Sequence, residues 1–162
     1  MSFFNSSGID FKEVMSAVVD SSTAVQTITH DCIVKLDQVT MVDHGGDKPP
    51  TIKLRWVNDA KESILDFRNF NGGNGELLAK QIVNHTRLLQ KLGHRYSPEE
   101  LNGFGTLNDL IHDMYRSFLL VANRSVGIYV EQDDKYWNIK KYVSPSEVAA
   151  SEQEAYEDDM PF

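Results

Sequence analysis

Five stretches of the chain alternate apolar and polar residues with the period of a strand, and the segment between the third and the fourth carries the period of a helix in two pieces. Together they predict a mainly β protein with a helical insertion. From Ser144 to Phe162 the sequence is polar, acidic and without a core-forming pattern, which predicts a disordered tail (144–162) on a folded body (1–143).

Residues 10–20 place Phe11, Val14, Met15, Val18 and Val19 at helical spacing behind Asp10 as N-cap, so a short amphipathic helix leads in. Residues 27–41, "TITHDCIVKLDQVTM", set Cys32, Val34 and Leu36 against Ile33, Lys35 and Asp37, the first strand. "VDHGGDKPP" breaks the pattern with two glycines and two prolines, a loop. "TIKLRWV" is the second strand, with Ile52, Leu54 and Trp56 on one face, and "SILDFRNF" the third, from Ser63 to Phe70. Residues 75–92 put Leu77, Leu78, Ile82, Leu88, Leu89 and Leu92 largely on one helix face, closed by Gly93 at C′. A second helical piece, "TLNDLIHDMYRSFLL", follows a "YSPEEL" start, and "SVGIYVEQ", "DDK" and "YWNIKKYV" form a closing hairpin. Five strands with a helical insertion after the third is the order of the OB-fold, a five-stranded, partly open Greek-key barrel.

The chain has 162 residues, enough for one domain with a real core. Its 41% apolar and 25% charged residues describe a water-soluble globule, and no apolar run reaches the roughly 18 residues of a spanning helix. The N-terminal stretch lacks a basic segment followed by an apolar one, so a cytoplasmic location is expected, with no membrane partner. Cys32 stands alone, which excludes an internal disulfide and a cysteine-based zinc site. The net charge of −8 is mainly a property of the tail. Six acids and no Lys or Arg lie from Glu147 onward, which leaves 18 acids against 16 bases before it, a charge of −2. A basic groove on the body is compatible with that balance.

Alternation turns Lys53 and Arg55 outward from Ile52, Leu54 and Trp56, and sets Tyr136, Lys140 and Tyr142 opposite Trp137, Ile139 and Val143. Phe67, Arg68 and Phe70 in the third strand and Tyr129 in the fourth add rings and a cation. Single-stranded nucleic acid offers unpaired bases and a phosphate chain, so rings beside cations suit it; stacking contributes about 1–3 kcal/mol per base. Aromatic residues are also enriched in strands for packing alone, and Trp56 and Trp137 are expected in the core.

The closing "EQEAYEDDMPF" sets an apolar residue behind a run of acids, an arrangement suited to a shallow apolar pocket rimmed by Arg or Lys on another protein. "EDDMPF" resembles the C-terminal tip of bacterial and bacteriophage single-stranded DNA-binding proteins, and "SVGIYVEQDDKYWNIKKYVSPSE" is similar to the short OB-fold binders of tailed phages. The resemblance implies a protein that coats single strands during replication, recombination and repair. It also implies that Asp158, Asp159, Met160, Pro161 and Phe162 recruit partner enzymes. Because its carboxylates imitate phosphates, the acidic tail is expected to compete with DNA for the basic groove. The long insertion and the lack of a Gly/Gln-rich linker depart from the bacterial type, so a monomer or homodimer is expected rather than a tetramer.

Other signals are weaker. "FNGGNGELL" lacks the Gly-Lys-Ser/Thr ending of a phosphate cradle. Asp109, His112 and Asp113 are placed as solvated residues on a helix, without a second carboxylate cluster of metal spacing. No catalytic residue, metal or cofactor is expected. The DNA-binding set is Lys53, Arg55, Arg68, Phe70, Tyr129, Tyr136, Lys140 and Tyr142. The rivals are a protein-binding adaptor of the same fold and a small Mg²⁺-dependent nuclease.

Overall fold

A computed structural model of the chain describes residues 10–15 and 26–149. The strands are β1 (Cys32–Val42), β2 (Thr51–Val57), β3 (Ser63–Arg68), β4 (Ser125–Asp133) and β5 (Tyr136–Val143). Between β3 and β4 lie the helices α2 (Gly75–Lys91), α3 (Pro98–Asn102) and α4 (Leu107–Leu120). Residues 11–15 (α1) and 145–149 (α5) are also helical. The Asp10 carboxylate accepts the Lys12 amide at 2.9 Å, which fits the expected N-cap of α1. The rest of that expected helix, residues 16–20, and the tail from 150 to 162, including Asp158, Asp159, Met160, Pro161 and Phe162, lie outside the described residues.

The strands form one antiparallel sheet in the order β3-β2-β1-β4-β5. Alternation sorts its faces as the sequence leads one to expect. Ile52, Leu54 and Trp56 of β2 and Val34 and Leu36 of β1 are fully buried, against Leu88 and Leu89 of α2 and Ile111, Met114 and Phe118 of α4. Burying large side chains of this kind contributes about 1.5–3 kcal/mol each, which is what seats the helical insertion on the sheet.

β1 begins at Cys32 rather than near Thr27, because residues before it are drawn elsewhere. Ser63 of β3 donates to the Gln26 carbonyl at 2.7 Å and accepts from Ile28 at 2.9 Å, a short parallel bridge on the outer side of β3. Asp31 turns its side chain to the Val130 amide at 2.8 Å, so the strand pairing of β1 with β4 starts only one residue later.

Local signals fix the helix ends. The side chain of Asn74 accepts from the Leu77 amide at 3.1 Å and that of Thr106 from Asp109 at 3.1 Å. Ser97 and Glu100 form a reciprocal capping box. Gly93 has a φ of 95°, the left-handed turn that ends α2, and a side chain there would strike Arg124. Arg124 in turn donates to the Leu92 carbonyl at 2.8 Å, tying the end of α2 to the approach to β4.

The chain stays packed past Val143. Val148 of α5, in the segment expected as tail, is buried, and it lies against Gly127 so closely that any side chain at 127 would collide with it and with Val143. This covers part of the sheet face opposite the helices.

β3 and β5 are the two edges of the sheet, and no backbone ladder joins them. They meet through side chains instead. The Asp66 carboxylate of β3 accepts hydrogen bonds from Tyr142 Oη of β5 and from Arg68 Nη2, together with one from Arg68 Nε at 2.9 Å. The guanidinium lies 5.2 Å from the Tyr142 ring centroid, and that ring packs at 5.5 Å on Trp56.

Losing one partner of a buried ion pair costs more than losing one neutral hydrogen bond. Asp66→Ala should therefore lower the unfolding free energy by about 3–5 kcal/mol because it strands a guanidinium. Tyr142→Phe should cost only about 1–3 kcal/mol. Urea unfolding of both variants checks the order; a larger loss in Tyr142→Phe contradicts this account of the seam.

Candidate functional site

β3 sends its residues alternately to the two faces of the sheet. Ile64, Asp66 and Arg68 turn toward the interior, while Leu65 and Phe67 turn out and are 46% and 51% exposed. Lys53 pairs with Phe67 and Arg55 with Leu65 in the β2–β3 ladder, so the outer face alternates apolar groups and cations. Arg55 is partly committed to Asp37 at 3.6 Å. Lys53 has no carboxylate within reach among the described residues.

Across the seam stands the β4–β5 turn. Asp134 takes a φ of 57° there, and the turn presents Lys135 and Tyr136, the latter 63% exposed. The Lys135 ammonium sits 5.4 Å from the Tyr136 ring centroid. Between the first half of β3 and this turn runs an open groove of about 410 Å³, with Leu65 and Phe67 on one wall and Tyr136, Trp137 and Asn138 on the other.

Several expected site residues fall elsewhere. Phe70 is 5% exposed and packs at 4.7 Å against His85, so it is a core ring and not a stacking platform. Tyr142 also faces the interior. The cause is a β-bulge: Tyr129 pairs with Lys141 and Val130 with Ile139, leaving Lys140 as the extra residue. The bulge shifts the alternation by one, so Tyr142 joins Trp137 and Ile139 on the core-facing side. Burial, then the charge of Asp66, raises the Tyr142 phenol well above its ordinary pKa, and the hydroxyl stays a donor.

Arg68 is mostly covered as well, and its charge is answered by Asp66. Burial opposes that charge, but Asp66 and Tyr142 beside it hold the Arg68 pKa above its ordinary value. Tyr129 is half-buried beside Lys141, away from the groove. Lys140 is exposed and borders a second cleft between β5 and α2.

Of the expected DNA-binding set, the groove and its flank bring together Lys53, Arg55 and Tyr136. Phe67 stands in the sequence only as an additional ring, and Lys135 and Leu65 lie outside the expected binding set; strand parity in β3, with Ile64 buried, is the signal that finds Leu65 and Phe67. The carboxylate of Asp113 accepts from Tyr96 Oη at 2.6 Å, and among the described residues no three His, Cys, Asp or Glu lie close enough together to hold a metal ion. Trp56 is fully buried and Trp137 partly so, as expected. No family model matches the chain, and no curated protein matches its sequence.

His85 of α2 closes the inner end of the seam. It donates Nε2–H to the Asn69 carbonyl at 2.8 Å, which leaves Nδ1 to accept from Arg68 at 3.4 Å. A second proton would have to point at the guanidinium. Burial lowers the His85 pKa from 6.5 to about 4, helped by Arg68 and opposed by the Asn69 bond. Between those values the unfolded chain binds the proton and the folded one does not, so this stability is present above pH 6.5 and is lost as pH falls toward about 4. The loss amounts to about 3 kcal/mol at most. Chemical unfolding followed from pH 6.5 to pH 4.5 should show a steeper decline for the wild type than for His85→Gln, which keeps a donor for Asn69; parallel declines contradict the assignment.

Proposed function

We propose that the protein binds single-stranded DNA, with little regard to sequence, in the groove between β3 and the β4–β5 turn. The observation that carries this is the pair of exposed rings, Phe67 and Tyr136, on opposite walls of one groove, with Lys53 and Lys135 beside them. A solvated phenyl ring on a sheet face gains nothing for folding, whereas an unpaired base can cover it. Rings take bases of any identity because every base has a π-face, and neighbouring cations answer the phosphates.

The strand order and the side-chain contact between β3 and β5 support an OB-fold, with the barrel closed at that seam by Asp66 and Tyr142 instead of a ladder. In that fold the face of strands 2 and 3 and the loop joining strands 4 and 5 bind oligonucleotides, which are the elements that carry Lys53, Phe67, Lys135 and Tyr136 here. Strand protection in phage-type replication and recombination, with partner recruitment through Asp158 to Phe162, is part of the same proposal and is supported by the resemblance of the sequence alone.

Fluorescence polarisation with labelled oligo(dT) tests it. Binding should weaken steeply as salt rises, and Phe67→Ala and Tyr136→Ala should each cost about 1–3 kcal/mol, or about 5- to 150-fold in affinity. Both side chains are exposed, so the variants should unfold at the wild-type temperature. A folded protein that ignores oligo(dT) at low salt favours the adaptor reading; Mg²⁺-dependent cleavage of the strand would favour the nuclease.

A further inference from the structure

The second cleft, of about 400 Å³, lies between α2 and β5 and is lined by cations from both. α2 contributes Asn84, Arg87 and Lys91 at spacings of three and four residues, which is one face of the helix. β5 contributes Lys140 and Lys141. Successive residues of a regular strand point to opposite faces, but Lys140 is the bulged residue, and both lysines border the cleft.

Arg68 at the rim is paired with Asp66, whereas Arg87, Lys91, Lys140 and Lys141 have no carboxylate within 4.0 Å among the described residues. Crowding four unanswered cations around one concavity is unfavourable in the empty protein, because like charges repel across a shared low-dielectric wall. An anion relieves it. The chain has a net charge of −8, so this local concentration runs against its overall balance.

We propose that this cleft is a phosphate-binding site, and that a single strand leaving the groove beside Tyr136 continues along β5 into it, onto the helical insertion. The proposal rests on the DNA-binding reading above. Continuity favours nucleic acid over an acidic peptide: residues 135–138 of the β4–β5 hairpin border the ring-lined groove, and residues 139–142 of β5 border the cationic cleft. One extended polyanion can occupy both, its bases in the first and its phosphates in the second. Arg87 adds a planar fork that matches phosphate geometry.

The test uses the full chain, oligo(dT) of about 20 nucleotides, long enough for the upper end of known sites on one such domain, and titrations at several salt concentrations. Arg87→Ala/Lys91→Ala, both at exposed positions, should lose about fivefold or more in affinity. The slope of log affinity against log salt should become shallower by about 1.4, the value for two fewer phosphates on a single strand. Lys12→Ala/Lys80→Ala removes the same charge from exposed positions outside the cleft lining and should leave both quantities near wild type. Equal losses in the two double variants overturn the site, since general charge would then explain them. If oligo(dT) binding depends on Phe67 and Tyr136 but not on Arg87 and Lys91, the cleft proposal fails alone; if the wild type does not bind, both readings fail. A labelled oligoglutamate peptide that binds only with Arg87 and Lys91 intact, while oligo(dT) is indifferent to them, overturns the cleft as a DNA site and makes it a peptide site.

Discussion

The Asp66 carboxylate, shared by Arg68 on its own strand and Tyr142 on the opposite edge, is the contact on which the arrangement of the sheet depends. A five-stranded sheet has two edges with unpaired backbone groups, and an open edge invites pairing with another chain. Here the edges are brought within side-chain reach and held there by charge-assisted hydrogen bonds, with the Trp56 ring packed beneath Tyr142. Taking an ion pair out of water costs several kcal/mol per ion, repaid only when the geometry is good. Three hydrogen bonds to one carboxylate meet that condition. They also fix which part of β5 lies beside which part of β3, a selectivity that apolar packing alone would not give.

A tie made of side chains leaves space on either side of it that a ladder would fill. Toward the β4–β5 turn the space is the ring-lined groove; toward α2 it is the cationic cleft. Both open regions thus flank the one side-chain tie at residues 66 and 142. Although the chain carries a net charge of −8, Arg87, Lys91, Lys135, Lys140 and Lys141 gather along this seam, so the local potential there runs against the total charge.

Much of the fold was legible in the sequence because period-2 and period-3.6 patterns survive wherever one face is buried. Ile52, Leu54 and Trp56 lie opposite Lys53 and Arg55 as the alternation predicts, and Asp10 and Gly93 marked helix ends through side-chain and backbone preferences that act locally. What failed was decided at a distance. The bulge at Lys140 is set by the register of β4, and it exchanged the faces of Tyr142 and its neighbours without any local signal such as a glycine. Phe70 follows the end of β3 and was read as strand, so its turn into the core against His85 depended on α2. Arg87 and Lys91 were invisible as site residues, since a basic helix face looks like solvated decoration until the fold sets it across a cleft from β5. Val148, one apolar residue in a polar stretch, needed the bare backbone of Gly127 to receive it.

Photocrosslinking with oligo(dT) carrying 5-iodouracil, followed by peptide mapping, tests most directly whether bases lie in the seam between the two sheet edges. Adducts on Phe67 and on Tyr136 or Trp137 are the predicted result. Adducts confined to Tyr129 or to α4, under conditions where the DNA is bound, would contradict it.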